Sequence, residues 1–343
     1  MTPPSVSPAT IVRDPAWLAH RYDPGHDAVH FVAADRTLRR EVPFLTDDNL
    51  PGAGAPVVLR RSDAVGVSPP APVNFIFHSA YCCSTLLANA YDRPGKAFSL
   101  KEPVLLNDLV GWRHRGGTPD QIGDVLNTGL SLLARPFAVG ERCIVKPSNI
   151  VNGLAAAAVA MRPDAGVLLI HAPLEAYLGS IASKGLWGRR WVRDLLLKQL
   201  TERFVDLGFE QQDYFLQTDL QVAAVGWLAQ HKVFANIAAR WPDRVRTIDS
   251  ETLVARPAEA LAALDALFGV ADDDAGRARI LATVFSRNAK FGDAFDPGQR
   301  RSSQRAAADT YGDEIAKVAQ WAAAVAENAG IAMVPPRPLL PTG

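Results

Sequence analysis

The sequence predicts an α/β protein in which helices cover both faces of a parallel β-sheet. From residue 73 onward, short apolar runs alternate with segments of helical spacing, an order that is typical of parallel sheets. Polar residues directly follow several of the apolar runs, which is where ligands bind in such folds. We therefore expect an α/β domain over residues 73–343 and a small N-terminal appendage over residues 1–72.

The appendage has its own pattern of short strands and turns. His30–Val32, Phe44–Leu45 and Pro56–Arg61 have the composition of strands, and Asp23-Pro24-Gly25 that of a turn. The proline-rich stretch 68–72 has the composition of a linker, so we place the boundary there.

Five apolar runs in the larger domain are predicted strands, and predicted helices lie between and after them. The strands are Phe75–Phe77, Ala97–Leu100, Arg142–Val145, Gly166–Ile170 and Val245–Ile248. The helices are Ser84–Tyr91, Pro119–Leu133, Asn152–Met161, Leu174–Lys184 and Pro257–Phe268. Because parallel strands end at one edge of a sheet, the polar residues after them are expected to converge. These residues are His78–Thr85, Lys101-Glu102, Lys146–Asn149 and His171.

The composition excludes several classes of function. Lys plus Arg and Asp plus Glu number 36 each, and a net charge of zero argues against a general nucleic-acid binder. The three cysteines form neither a disulfide framework nor a CxxC zinc pattern. No signal peptide and no apolar run of about 18 residues is present. We expect a cytoplasmic protein without a metal, a membrane or a nucleic-acid partner.

The turn after Phe77 is the strongest candidate for a phosphate site. A strand that leads through a tight turn into a helix aims backbone N–H groups at an anion, and Ser84 and Thr85 add hydroxyl donors. Of the pattern GxxxxGK[ST], only Thr85 matches, since both glycines and the lysine are absent. The alternative is an ordinary strand-to-helix turn with Ser84 as the helix cap.

The segment Tyr81–Leu87 nevertheless resembles the degenerate P-loop of sulfotransferases that use PAPS (3′-phosphoadenosine 5′-phosphosulfate). Cys83 stands where that family has glycine, and Tyr81 where it has a basic residue. Val145–Ser148 resembles the family's Lys-x-His strand end, with Ser148 in place of the histidine. The resemblance assigns the 5′-phosphate to the turn residues Tyr81, Cys82, Cys83, Ser84 and Thr85.

Three later segments extend this resemblance to residues 73–301. Val167–Pro173 with Ser180 is similar to the motif that holds the 3′-phosphate, and His171 replaces its arginine. Thr247–Val270 is similar to a common strand–turn–helix segment of the family, and Phe285–Asp293 to its late basic-glycine loop. The resemblance implies a divergent, bacterial-type member with a three-layer P-loop-type fold. It implies PAPS as co-substrate, with Arg287 and Lys290 at the 3′-phosphate.

Three charged residues are the candidates for chemistry. Glu102 is the expected base, because a partly desolvated carboxylate at a strand end can take a proton from an acceptor hydroxyl. Lys146 is the expected cation beside the transferring sulfonate, and Lys101 is a second candidate. Ordinary surface charges at the strand ends are the alternative for all three. Trp187 and Trp191 suggest a lid over an acceptor pocket.

Two other functions are open from the sequence alone. The strand end Lys101-Glu102-Pro103 also resembles that of nucleotide kinases, which makes an ATP-dependent P-loop kinase one alternative. The departures at Tyr81, Cys83 and His171 are compatible with a non-catalytic nucleotide-binding protein of the same fold. In each case we expect a nucleotide as the ligand, and in the enzymes also an acceptor.

Overall fold

The computed structural model describes residues 7–50, 52–65, 70–286 and 297–341, without the side chains of 297–301. The described strands are β1 Trp17–Asp23, β2 Ala28–Ala33, β3 Val57–Arg60, β4 Val73–His78, β5 Ala97–Lys101, β6 Arg142–Lys146, β7 Val167–His171 and β8 Val245–Asp249. The first eight helices are α1 Pro8–Arg13, α2 Arg36–Glu41, α3 Arg61–Ala64, α4 Ser84–Ala90, α5 Val104–His114, α6 Pro119–Leu133, α7 Ala155–Ala160 and α8 Leu174–Ala182. The others are α9 Gly185–Thr201, α10 Asp213–Leu216, α11 Asp219–Arg240, α12 Ser250–Ala255, α13 Pro257–Phe268, α14 Asp274–Thr283 and α15 Pro297–Asn328. Short 3₁₀ helices span Asp47–Asn49 and Asn149–Leu154.

The central sheet has five parallel strands in the order β5-β6-β4-β7-β8. Both of its faces are buried. Phe75 and Phe77 of β4 belong to one apolar core, whereas Ile76 between them belongs to the other, as the two-residue repeat of a strand requires. The predicted α/β fold, with a parallel sheet flanked by helices, is confirmed, and all five predicted strands are present.

The two cores are built from different elements. Apolar side chains of α5 and α6 cover one face of the sheet, and those of α8, α9, α12 and α13 cover the other. The helix α11 contributes to both, with Phe234 in the first core and Trp227 in the second. Among the described helices, none combines the length and the apolar character that a membrane span requires.

The N-terminal residues form a three-stranded antiparallel sheet in the order β1-β2-β3. Its buried side chains, such as Phe31, lie in the same apolar core as α5 and α6. The boundary at residues 72 and 73 stays a prediction, but the N-terminal segment packs against the main sheet. Beyond α2 the segment reaches β5, where Leu45 N–H donates to Lys101 O at 2.7 Å.

Several predicted elements differ in the structure. The prediction of a strand at Phe44–Leu45 is wrong. Leu45 hydrogen-bonds to the end of β5 but forms no ladder with it. The predicted helix Asn152–Met161 is a 3₁₀ helix followed by α7. The helix Leu174–Lys184 ends at Ala182, and the left-handed Gly185, with φ of 56°, turns the chain into α9.

Candidate active site

The turn between β4 and α4 has an unusual backbone. Ala80, Tyr81 and Cys83 have φ values of 72°, 51° and 63°, in the left-handed region that favours glycine. Each such residue costs about 1 kcal/mol relative to the right-handed conformation. Turns that contain such residues can direct successive backbone N–H groups toward an anion. This turn holds three non-glycine residues in a conformation that glycine usually supplies.

Two residues before the bend fix the turn to both neighbouring strands. Ala80 N–H donates to His78 Nδ1 at 3.1 Å, so the neutral ring carries its proton on Nε2 and donates it to Pro147 O at 3.0 Å. Ser79 N–H donates to Ile170 O at 3.1 Å, and its Oγ accepts from Ala172 N–H at 3.3 Å. His78 therefore has a hydrogen-bonding role at the turn. The strained backbone is thereby held from both sides.

Lys146 and Glu102 form an ion pair at the ends of β6 and β5. The Lys146 side chain is 1% exposed, and its ammonium contacts Glu102 Oε1. Glu102 N–H donates to Lys146 O at 2.7 Å, and Glu102 has φ of 55°, so the chain leaves the strand in a left-handed turn. His78 Nε2 lies 3.8 Å from the same Oε1, and the Phe44 ring centroid lies 5.3 Å from Lys146 Nζ. The pair is thus enclosed by a ring, an imidazole and backbone.

A cleft of about 400 Å³ lies over these strand ends. It is lined by Phe44, His78, Ala80, Tyr81, Cys82, Cys83, Ser84, Thr85, Leu86, Glu102, Lys146, Ser148, Asn149, Ser180, Trp187 and Trp191. The structure therefore brings together eight of the predicted site residues: Tyr81, Cys82, Cys83, Ser84, Thr85, Glu102, Lys146 and Ser180. Arg287 and Lys290 lie outside the described residues.

Lys101 does not belong to this cleft. Although it is the register partner of Lys146, its Nζ donates to Arg40 O at 3.0 Å, under the N-terminal segment. Burial lowers the pKa of Lys101 to about 8. The position therefore gives Lys101 a packing role at the junction with α2, and it does not reach the predicted chemistry.

His171 is also placed away from the cleft lining. Its ring lies against that of His231 of α11, with 4.9 Å between the centroids in an edge-to-face arrangement. Both rings are buried, which lowers the pKa of His171 to about 4 and that of His231 well below its usual value. Trp227 stacks on His231 and donates from Nε1 to Ala172 O at 2.9 Å. Trp227 and His231 therefore pack in the interior beside the end of β7.

An aromatic wall closes the side of the cleft next to α9. The Tyr81 ring meets Trp191 edge-on at 5.5 Å and lies 6.1 Å from Tyr177. Burial raises the pKa of Tyr81 to about 12, which keeps its phenol neutral. Lys184 Nζ lies 5.6 Å from the centroid of the Tyr81 ring and 5.8 Å from that of Trp187. The segment predicted as a lid is the first half of a helix that presents Trp187 and Trp191 to the cleft.

Cys82 and Ser180, two other predicted ligands, are constrained by their surroundings. Burial raises the pKa of the Cys82 thiol to about 11, so it stays protonated near neutral pH. The Ser180 hydroxyl donates to Ala176 O at 2.8 Å within α8, which leaves its lone pairs to face the cleft.

The sequence did not single out Phe44 as a site residue, and Asn149 only as part of a strand end. Phe44 arrives from the N-terminal segment, 58 positions before Glu102, so spacing carries no signal for it. Asn149 follows β6 by three residues, and that position after a strand was the available signal.

No protein-family model matches the chain, and no curated protein matches it. Among solved structures, the chain is similar to the sulfotransferase domain from the curacin biosynthetic pathway. The sequence identity is 14%, the TM-score 0.43, and the alignment covers 71% of this chain and 98% of that domain. The chain is also similar to the sulfotransferase domain from the Synechococcus PCC 7002 olefin synthase. Here the identity is 17%, the TM-score 0.39, and the coverage 71% of this chain and 96% of that domain.

Proposed function

We propose that this protein transfers a sulfonate group from PAPS to a hydroxyl-type acceptor. The observation that carries the proposal is the Lys146–Glu102 ion pair, which lies at the cleft beside a strained, glycine-like turn. A buried ion pair contributes little to stability by itself, because desolvation offsets most of the attraction. Its place beside an anion-binding turn is better explained by chemistry.

The proposed reaction has one proton transfer and one group transfer. The acceptor O–H gives its proton to a Glu102 oxygen, while the acceptor oxygen forms a new bond to sulfur. The bond between sulfur and the bridging oxygen of PAPS breaks, and its electron pair stays on the 5′-phosphate of adenosine 3′,5′-bisphosphate. Lys146 lines the cleft, and in this proposal its ammonium stabilises the charge that develops on that bridging oxygen.

The turn residues would hold the 5′-phosphate in this proposal. Their backbone N–H groups would face it, and Ser84 and Thr85 stand at the start of α4 in the cleft lining. The aromatic wall and Ser180 lie on the side of α8 and α9, where the rest of the nucleotide would fit. Glu102, Phe44 and Ser148 lie on the side of β5 and β6, which leaves that side for the acceptor.

The charges of the cleft favour this proposal over an ATP-dependent kinase. Kinases neutralise the transferring phosphoryl group with Mg²⁺ held by acidic or hydroxyl side chains. Within the described lining of the cleft, Glu102 is the one carboxylate, and it is paired with Lys146. A non-catalytic nucleotide-binding protein has no use for this enclosed pair.

Nucleotide binding is the first test. We expect adenosine 3′,5′-bisphosphate to raise the melting temperature and ATP with Mg²⁺ to leave it nearly unchanged, because the product nucleotide fits the proposed site. Scanning fluorimetry measures both shifts. A large shift with ATP and none with the bisphosphate would refute the proposal and support the kinase.

Turnover separates the enzyme from a binding protein. Release of the bisphosphate from PAPS, measured with a panel of small alcohols and phenols, should fall about 10²–10⁴-fold in Glu102→Gln. Binding of the bisphosphate should stay within about threefold, since Gln keeps the shape and accepts from Lys146. Glu259→Gln, in an exposed ion pair on α13, is the matched control and should behave like the wild type. Equal turnover in Glu102→Gln would remove Glu102 as the base.

A further inference from the structure

The order of the strands puts the end of β6 between the two halves of the proposed reaction. The phosphate turn follows β4, the base Glu102 follows β5, and β6 lies between these strands in the sheet. A group that passes from a nucleotide at the turn to an acceptor at Glu102 therefore crosses the residues after β6. Those that line the cleft there are Lys146, Ser148 and Asn149.

Asn149 has a hydrogen-bond donor without a partner among the described residues. Its side chain lines the cleft and is 5% exposed, yet Nδ2 is buried and has no hydrogen-bond partner in the described part of the chain. Buried amide groups are nearly always paired, so Asn149 Nδ2 requires a partner that the described residues do not supply.

Asn152, one turn further along the same 3₁₀ helix, shows the contrast. Its Nδ2 donates to His78 O at 3.1 Å and to Gln230 Oε1 at 2.9 Å, and both bonds are internal to the fold. The two asparagines therefore differ in their amide donors: the Asn152 N–H groups connect the helix to the turn and to α11, whereas the Asn149 N–H groups have no partner among the described residues.

We propose that Asn149 Nδ2 donates a hydrogen bond to a non-bridging oxygen of the sulfonate in transfer. This inference rests on the proposed function and deepens it, because it assigns the sulfonate subsite. The Lys146–Glu102 pair carries no net charge, and a neutral amide beside it suits a group with a single negative charge. Asn149 exchanges no proton; it holds the group while the proton moves to Glu102 and the sulfur changes oxygens.

Comparison of two nucleotides isolates this contact. PAPS carries the sulfonate and adenosine 3′,5′-bisphosphate lacks it, so Asn149→Ala should weaken the binding of PAPS about tenfold and change that of the bisphosphate less than twofold. Isothermal titration calorimetry without an acceptor gives both dissociation constants. The melting temperature should stay the same or rise, because the variant removes an unpaired buried donor.

Asn152→Ala is the matched control. It should lower the melting temperature through the loss of two internal hydrogen bonds and change the affinity for both nucleotides by the same factor. Equal effects of Asn149→Ala on PAPS and the bisphosphate, or no effect on either, would overturn the inference and leave the proposed function standing. A wild-type protein that binds neither nucleotide would overturn both.

Discussion

The carboxyl edge of the central sheet has two halves that differ in what lies beyond the strands. After β4, β5 and β6, polar side chains face an open cleft. After β7, His171 packs against His231, and after β8 the Asp249 carboxylate accepts from Glu251 N–H and Thr252 N–H at 2.9 Å each to cap α12. Parallel strands bring polar residues to one edge, and the packing beyond that edge decides which of them can meet a ligand.

The two halves also differ in their backbone strain and in their buried polar atoms without partners. The open half has left-handed residues in the turn and at Glu102, together with Asn149 Nδ2, which has no partner in the described part of the chain. The closed half has two buried imidazoles, each with a ring nitrogen that is unpaired within the described residues. The open half lines a cleft that a ligand can enter, so its strain and unpaired groups can bear on binding. The imidazoles of the closed half are packed in the interior and bear on stability.

The largest effect is expected from the two lysines that are register partners on β5 and β6. Lys146→Met should lower turnover at least about 10²-fold, because it removes the charge at the group in transfer. Lys101→Met should leave turnover within about twofold, because Lys101 Nζ donates to Arg40 O outside the cleft. Steady-state kinetics with PAPS measures both.

The same two variants test whether Lys146 and Lys101 differ in their effect on turnover. Both remove one buried ammonium and keep a chain of similar length, so their melting temperatures control for damage to the fold. Equal losses of turnover in folded variants would show that the cleft boundary drawn between Lys146 and Lys101 is wrong.

The closed half should make stability depend on pH. The folded-state pKa of His171 is about 4 against an ordinary value of 6.5, so the unfolded chain binds more protons between these values. Stability is therefore complete above about pH 6.5 and falls as the pH drops toward about 4. Between about pH 7.5 and about pH 5, His171 should account for about 2 kcal/mol of this loss.

His171→Phe tests this contribution, since it keeps a planar ring that cannot be protonated. Urea unfolding at both pH values should show a smaller loss in the variant than in the wild type by about 2 kcal/mol. If the loss of stability were the same in the variant and the wild type, His171 would have to be hydrated or paired in the folded protein and not enclosed in the closed half.

The smallest effect is expected at Ser180, on the border between the halves. Its hydroxyl proton is already used on Ala176 O, so Ser180→Ala should weaken the binding of adenosine 3′,5′-bisphosphate less than about threefold. Calorimetric titration of the bisphosphate measures the change. A loss above about tenfold would mean that the hydroxyl turns from Ala176 to the nucleotide and belongs fully to the open half.

The sheet could be predicted from sequence because both of its faces are buried. Runs such as Phe75–Phe77 are apolar without interruption, and that pattern persists whatever packs on them. The long helix α11 lacked a clear pattern for a related reason: it touches both cores, so apolar residues occur all around it. In β1, the register shift between Ala19 and Arg21 interrupts the two-residue repeat.

The site residues that could be predicted from sequence are mainly those at the ends of strands. Glu102, Lys146 and the turn were found because they directly follow strands. Lys146 and Lys101 could not be told apart from sequence, because the left-handed turn at Glu102 and the hydrogen bond from Lys101 to Arg40 O appear only in three dimensions. Phe44 comes from the N-terminal segment, and no spacing in the chain indicates that it lines the cleft.

The left-handed residues of the open half have a consequence for evolution. Glycine at positions 80, 81, 83 and 102 would relieve about 1 kcal/mol each, so random drift in a chain without a task favours glycine or asparagine there. Glu102 carries a backbone cost that glycine would not, and its proposed role as the base would account for that cost. Under the proposed function, we expect relatives with the activity to keep glutamate at position 102 and relatives without it to have glycine or asparagine there.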